Sequence, residues 1–139
     1  MVTSDQYLFT STLFHVEPGE EIETNPQCYG KSLARWMSKM LAESGVSINE
    51  SIIAEDWGWL VMVQRKPFSL WVGCGTQKGD DYSHIPNKWV AFAVAEPNFL
   101  QKLLKPNDIQ SSLSKLTESI EKILKSNPNI VDLRVERAP

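Results

Sequence analysis

The chain has 139 residues, of which 42% are hydrophobic and 22% charged, and these values exclude disordered and fibrous proteins because they are close to those of an average globular domain. The net charge of −3 is unevenly distributed, since residues 1–60 hold nine acidic and three basic side chains. This acidic half argues against general nucleic-acid binding and suits a basic partner.

The first 45 residues predict a strand, a loop and a helix. Residues 7–16 are rich in aromatic and β-branched side chains, which is typical of a strand. Residues 17–27 contain two prolines, a glycine and four glutamates, and they predict a solvated loop. Residues 30–44 predict a helix, with Gly45 as its left-handed stop. The apolar stripe of this helix consists of Leu33, Trp36, Met37, Met40 and Leu41.

Three strands are predicted in the centre of the chain. Residues 52–64 alternate with apolar side chains on both faces, which indicates an interior strand. Residues 68–76 follow a short turn and predict an antiparallel hairpin with that strand. Residues 88–96 place small alanines on one face, which leaves room for a helix to lie close. In the first of these strands, Trp57, Trp59, Val61 and Val63 fall on one side and Gly58, Leu60 and Met62 on the other.

The last third of the chain predicts two helices and a strand. Residues 97–105 predict a short helix, and Asn107 with Gln110 forms a capping-box arrangement that opens a second long helix. Residues 130–137 alternate apolar and charged side chains, as expected of a strand at an edge or over solvent. The order β-α-β-β-β-α-α-β predicts an α+β fold, a two-layer sandwich of a mainly antiparallel five-stranded sheet with two long helices on one side and one short helix.

The length of the chain and its apolar stretches indicate the cellular compartment and the number of domains. The longest apolar stretches, residues 57–63 and 89–95, are far shorter than the ~20 residues of a membrane-spanning helix. The amino-terminal residues lack the positive charge of a secretory signal, and two cysteines do not suggest a disulfide framework. We therefore expect one cytoplasmic domain over residues 1–139, with no membrane or nucleic-acid partner.

Few side chains suggest catalysis or metal binding. Asp80, Asp81 and His84 share one loop and suit divalent ions, but their spacing matches no established metal loop. Cys28 lies where a helix N-terminus lowers a thiol pKa, although no base is placed beside it. Cys74 lies between two glycines that indicate a strand end with a bulge or turn, and it is typical of a small buried side chain. We expect no catalytic residue, metal or cofactor.

The five tryptophans are unusual for this length. Helices on one side leave the opposite face of the sheet partly bare, yet both faces of the central strands are apolar. Large aromatic side chains on that face either lie under loops or form a surface for self-association or for a partner. Four of the five belong to the central strands, namely Trp57, Trp59, Trp71 and Trp89.

Two short segments carry a resemblance to known proteins. The run Glu55-Asp56-Trp57-Gly58-Trp59, followed by an apolar strand and Leu70-Trp71-Val72-Gly73, resembles a group of small, mostly uncharacterised bacterial α+β proteins. In size and acidity the chain is also similar to the immunity proteins of contact-dependent growth inhibition and related toxin systems. The resemblance spans roughly residues 30–96 and transfers no functional residue.

The resemblance implies that the protein neutralises a cognate bacterial toxin by covering its basic active surface. Electrostatic steering would speed the encounter, and a few buried anchors would set the affinity. The candidate partner-binding residues are Glu20, Glu21, Glu23, Asp80, Asp81, Trp57, Trp59 and Trp71.

Two other functions remain open. A secretion chaperone or adaptor would dimerise through the tryptophan-bearing sheet face and hold an extended partner segment, although the helix-rich C-terminal third fits that class poorly. An enzyme or small-molecule binder would have a pocket between sheet and helices, near Cys28 and His84.

Overall fold

A computed structural model describes residues 1–25, 28–48, 51–77, 87–97 and 106–137, with the side chains of residues 106 and 107 left out. These residues form seven strands and three helices. The strands are β1 (Val2–Thr3), β2 (Gln6–Thr10), β3 (Ile53–Glu55), β4 (Gly58–Gln64), β5 (Ser69–Thr76), β6 (Lys88–Glu96) and β7 (Val131–Glu136). The helices are α1 (Glu20–Glu23), α2 (Lys31–Glu43) and α3 (Pro106–Lys125).

The strands form one antiparallel sheet in the order β3-β4-β5-β6-β2-β7, with β1 also paired to β6. The α+β class and the mainly antiparallel sheet are confirmed, but the prediction of five strands and its element order are wrong. The two-residue strand β1 is too short to leave a pattern in the sequence. The segment predicted as one strand over 52–64 is divided, because a turn at residues 56–57 folds β3 back onto β4.

Gly58 explains why the chain turns at this point. It opens β4 with a φ of 156°, a conformation that L side chains rarely adopt. A Cβ atom there would lie 2.6 Å from the carbonyl oxygen of Cys74 on β5. Gly73 and Gly75, on either side of Cys74, lie within regular pairing of β5 with β6. The prediction of a bulge or turn at these two glycines is therefore wrong. At Gly73 the close approach of the Phe92 ring accounts for the glycine, whereas a Cβ atom at Gly75 would make only ordinary contacts.

Helices α2 and α3 pack on the same face of the sheet. Helix α2 contacts β4 and β5, and α3 contacts β6 and α2. The prediction that the alanines of β6 admit a helix is confirmed, because Ala91, Ala93 and Ala95 are fully buried in this core. The helical stripe of α2 is also confirmed, with Leu33, Met37 and Leu41 fully buried.

The remaining segments divide between confirmed and corrected predictions. The loop predicted over 17–27 contains the four-residue helix α1. Helix α2 ends as expected, with Gly45 at a φ of 99°, and β7 is an edge strand. The helix predicted over 97–105 lies outside the described residues except for Pro97. In the parts that the structure describes, no helix is long and apolar enough to cross a membrane.

Candidate functional site

The sheet face opposite the two long helices has its own apolar cluster. Alternation along β4, β5 and β6 directs Leu60, Met62, Trp71 and Val94 to this face, where all four are buried. Ile53 from β3 and Phe92 from β6 pack against them. We call this surface the outer face.

Three rings on the outer face contact one another. Trp57 stacks on Trp71 with ring centroids 5.8 Å apart and an interplanar angle of 20°. The ring centroid of Phe92 lies 5.5 Å from that of Trp57 and 6.2 Å from that of Trp71. We call Trp57, Trp71 and Phe92 the aromatic cluster. Trp57 is 39% exposed whereas Trp71 is 8% exposed, so the cluster has one face toward solvent and one toward the sheet.

Gly73 makes the position of Phe92 possible. The two residues are directly opposite in the pairing of β5 with β6. A Cβ atom at Gly73 would collide with the Phe92 ring, so the ring lies over a strand that has no side chain at that point. A glycine inside a strand therefore serves the packing of an aromatic side chain.

A groove of about 520 Å³ opens beside the aromatic cluster. Its floor and walls are formed by the cluster together with apolar residues of β3, β4 and β6. Exposed Glu55, Arg65 and Glu96 line the same groove. The site thus combines an apolar aromatic surface with charged groups, two of them acidic.

Trp59 does not belong to this surface. It is buried in the core beneath α2, where the Lys31 ammonium nitrogen lies 4.8 Å from its ring centroid. The prediction that Trp57 and Trp59 share one side is wrong, because Trp57 lies in the turn before β4 and packs on the outer face. Within the described residues the buried Trp59 indole nitrogen has no hydrogen-bond partner.

Glu20, one of the predicted docking residues, is fully buried. Its Oε2 accepts hydrogen bonds from the backbone N–H groups of Gly30 and Lys31 at 2.8 and 2.9 Å. Its Oε1 accepts from the N–H of Glu17 at 3.0 Å. The carboxylate therefore satisfies free N–H groups at the start of α2 and cannot meet a partner, which corrects the prediction for Glu20.

The other glutamates of this segment are exposed or half-buried, but each has a partner in the chain. The Tyr29 hydroxyl donates a hydrogen bond to Glu21 Oε1 at 2.6 Å. Glu23 forms an ion pair with Lys31, with 2.7 Å between Oε1 and Nζ. Glu17 pairs with Arg35 at 2.9 Å. Much of the local negative charge is thus balanced by the basic face of α2. The predicted docking residues Asp80 and Asp81 lie outside the described residues.

Reactive side chains offer little chemistry in the parts that the structure describes. Burial raises the pKa of the Cys74 thiol far above its usual value, which suits the expected small buried residue. Cys28 is half-buried. His15 Nδ1 lies 3.4 Å from the Ser32 hydroxyl, longer than a strong hydrogen bond. No group of three His, Cys, Asp or Glu could hold a metal ion among the described residues, and His84 falls outside them.

Sequence reasoning missed Phe92, Glu55 and Glu96 as parts of this site. A signal for Phe92 was present, because it alternates with the alanines of β6 that face the helices. The two glutamates had no such signal, since they meet at one groove only after β3, β4, β5 and β6 have paired.

Comparison of the chain with protein-family models, with curated proteins and with solved structures finds no significant match.

Proposed function

We propose that the protein is a non-enzymatic protein-binding module of the immunity type, which neutralises a cognate bacterial toxin by covering its active surface. The observation on which the proposal rests is the aromatic cluster beside a groove on the outer face. The proposed contact surface is therefore the outer face, and the glutamate segment around α1 has at most a steering role.

The aromatic cluster has the properties of a binding anchor. Tryptophan is among the residues that most often dominate the binding energy of protein interfaces. Trp57 is held by contacts to both Trp71 and Phe92, so little side-chain freedom remains to be lost on binding. A partner side chain that covered its exposed part would remove further apolar area from water.

The charges around the groove indicate the chemistry of the partner. Two of the three charged side chains that line the groove in the described part of the chain, Glu55 and Glu96, are acidic. A complementary partner presents an apolar side chain flanked by basic groups, as a basic toxin surface would. The resemblance to immunity proteins supports the same class of partner.

The test begins with a candidate partner, the product of the neighbouring reading frame, co-purified with the tagged protein and weighed by native mass spectrometry. We expect a one-to-one ratio of the two chains and a partner that is toxic when produced alone. Trp57→Ala should weaken binding by roughly 30-fold, the effect of an anchor that contributes about 2 kcal/mol. The matched control is Ile22→Ala, which removes an exposed apolar side chain from α1.

The possible results separate the parts of the proposal. A complex that tolerates Trp57→Ala but is lost when Glu21 and Glu23 are reversed to lysine would refute the outer face as the contact surface. A bound partner without toxicity would overturn the immunity role and favour the chaperone or adaptor. A protein that purifies alone and then binds a compound in a small-molecule screen would favour a ligand-binding function, since the groove volume lies in the range of ~300–1,000 Å³ typical of such sites.

A further inference from the structure

Strand β7 presents an open edge at one end of the sheet. It pairs with β2 along one side, and no strand in the described residues pairs with its other side. Val131 and Val135 on this strand are 46% and 51% exposed. Free backbone N–H and C=O groups on such an edge can pair with a further strand.

The sequence of β7 is complementary to itself in one antiparallel register. If a two-fold axis passes beside Val135, the two copies of Val135 are directly opposite each other. Arg134 of each copy then lies opposite Glu136 of the other, which gives two pairs of opposite charge. Both side chains are more than half exposed, and within one chain they lie 3.5 Å apart on the same face.

Neighbouring two-fold registers are less favourable. An axis beside Arg134 would place that residue opposite its own copy and Asp132 opposite Glu136, so that like charges meet. An axis beside Leu133 would place Asp132 opposite Arg134, a pair of opposite charge, but it would require Asp132 to join a regular ladder. Asp132 has a φ of 53°, and the register of β2 with β7 shifts at this point. The charges thus disfavour the register centred on Arg134, the backbone at Asp132 disfavours the one centred on Leu133, and the register centred on Val135 meets neither objection.

We propose that two copies of this chain pair antiparallel along β7 and form one continuous sheet across a two-fold axis. Such a contact is isologous, which is the commonest arrangement in homodimers. The groove on β3–β6 lies away from this edge, because β2 separates β6 from β7. Each copy keeps its outer face open, so the dimer would present two outer faces. The proposal of a dimer does not depend on the proposed function.

A charge-swap series tests the register. Sedimentation equilibrium over a wide concentration range should show a reversible monomer–dimer equilibrium for the wild type. Arg134→Glu or Glu136→Arg alone should weaken dimerisation by about tenfold or more, because each creates two like-charge pairs. The double variant Arg134→Glu with Glu136→Arg should restore it to near the wild-type value. Circular dichroism melting checks that these surface changes leave the fold intact.

Cross-linking provides a second readout. In a Cys28→Ser background, Val135→Cys should form a disulfide-linked dimer on oxidation, because directly opposite Cβ atoms lie ~4.5–5.5 Å apart before small adjustments. Val131→Cys, equally exposed on the same strand, should not. A wild type that is monomeric throughout, or a dimer that all the charge variants leave unchanged, would overturn the proposal. So would a dimer lost on Trp57→Ala but kept in the charge-reversed variants, since that result places the contact on the outer face.

Discussion

The Tyr7 hydroxyl on β2 donates a 3.3 Å hydrogen bond to Glu121 on α3. Burial and the negative charge of Glu121 both disfavour the phenolate, and they raise the pKa of Tyr7 to about 12. Glu121 also accepts a hydrogen bond from Lys125 at 2.6 Å, and this bond with the ammonium charge lowers the pKa of Glu121. The hydrogen bond between Tyr7 and Glu121 thus links β2 to α3, and it requires the tyrosine to keep its proton.

Replacement of Tyr7 by phenylalanine should change how stability depends on alkaline pH. The tyrosine pKa is higher in the folded chain than in the unfolded one, so the folded state keeps its proton while the unfolded state loses it. The wild-type free energy of unfolding should therefore fall as pH rises from about 10 to about 12, beyond any fall seen in Tyr7→Phe. Denaturant unfolding of both proteins at pH 8 and pH 11 measures this difference. Parallel losses in the two proteins would contradict the raised pKa.

At the scale of elements, Glu20 joins α1 to α2. Helix α1 has only four residues and would not persist alone, because a single turn gains too few hydrogen bonds to offset its ordering. Its first residue accepts three backbone hydrogen bonds, two of them from the start of α2. The short helix is therefore held by its contact with the longer one, and α2 obtains the cap that Gly30 does not supply.

Glu20→Ala should lower the free energy of unfolding by about 3 kcal/mol, because buried N–H groups lose their acceptor. Glu23→Ala on the same helix is the matched control. It removes an ion pair in which the Glu23 side chain is exposed, and it should cost about 1 kcal/mol because one partner remains in contact with water. Urea unfolding monitored by circular dichroism compares the two. Equal small losses would mean that Glu20 does not cap α2 in solution.

At the scale of the whole molecule, the sheet separates two environments. One face packs against both long helices, while the other holds the aromatic cluster and its groove. The five tryptophans differ accordingly. Trp59, Trp71 and Trp89 are buried, Trp36 is half-buried, and Trp57 is exposed.

Acrylamide quenching of tryptophan fluorescence tests whether the outer face is open in solution. Trp57→Phe should remove the tryptophan that acrylamide reaches most easily, since collisional quenching requires contact with the ring. The slope of quenching against acrylamide concentration should therefore fall. Trp36→Phe, which changes a half-buried ring in α2, should reduce the slope less. If the slope is the same with and without Trp57, another part of the chain covers this face in solution.

Some features follow from the sequence because they are local. Alternation assigns Trp71 and Leu70 to opposite faces of β5, and the helical spacing of Leu33, Met37 and Leu41 identifies the buried side of α2. The charged alternation of β7 likewise predicts an edge strand correctly. Each depends on the geometry of one element, which neighbouring residues set.

Other features depend on contacts between distant segments. The burial of Glu20 requires the first residues of α2 to fold against it, and no periodic pattern distinguishes it from the exposed Glu21. Trp57 and Trp59 lie on opposite faces because Trp57 belongs to the turn before β4, so the alternation of the strand does not extend back to it. That turn has Gly58 at a φ of 156°, close to the Cys74 carbonyl of another strand. The sequence by itself determined the α+β class, the faces of the central strands and the apolar side of α2. Only the tertiary structure decided which acids and tryptophans face solvent, because that exposure depends on which distant strands and helices cover them.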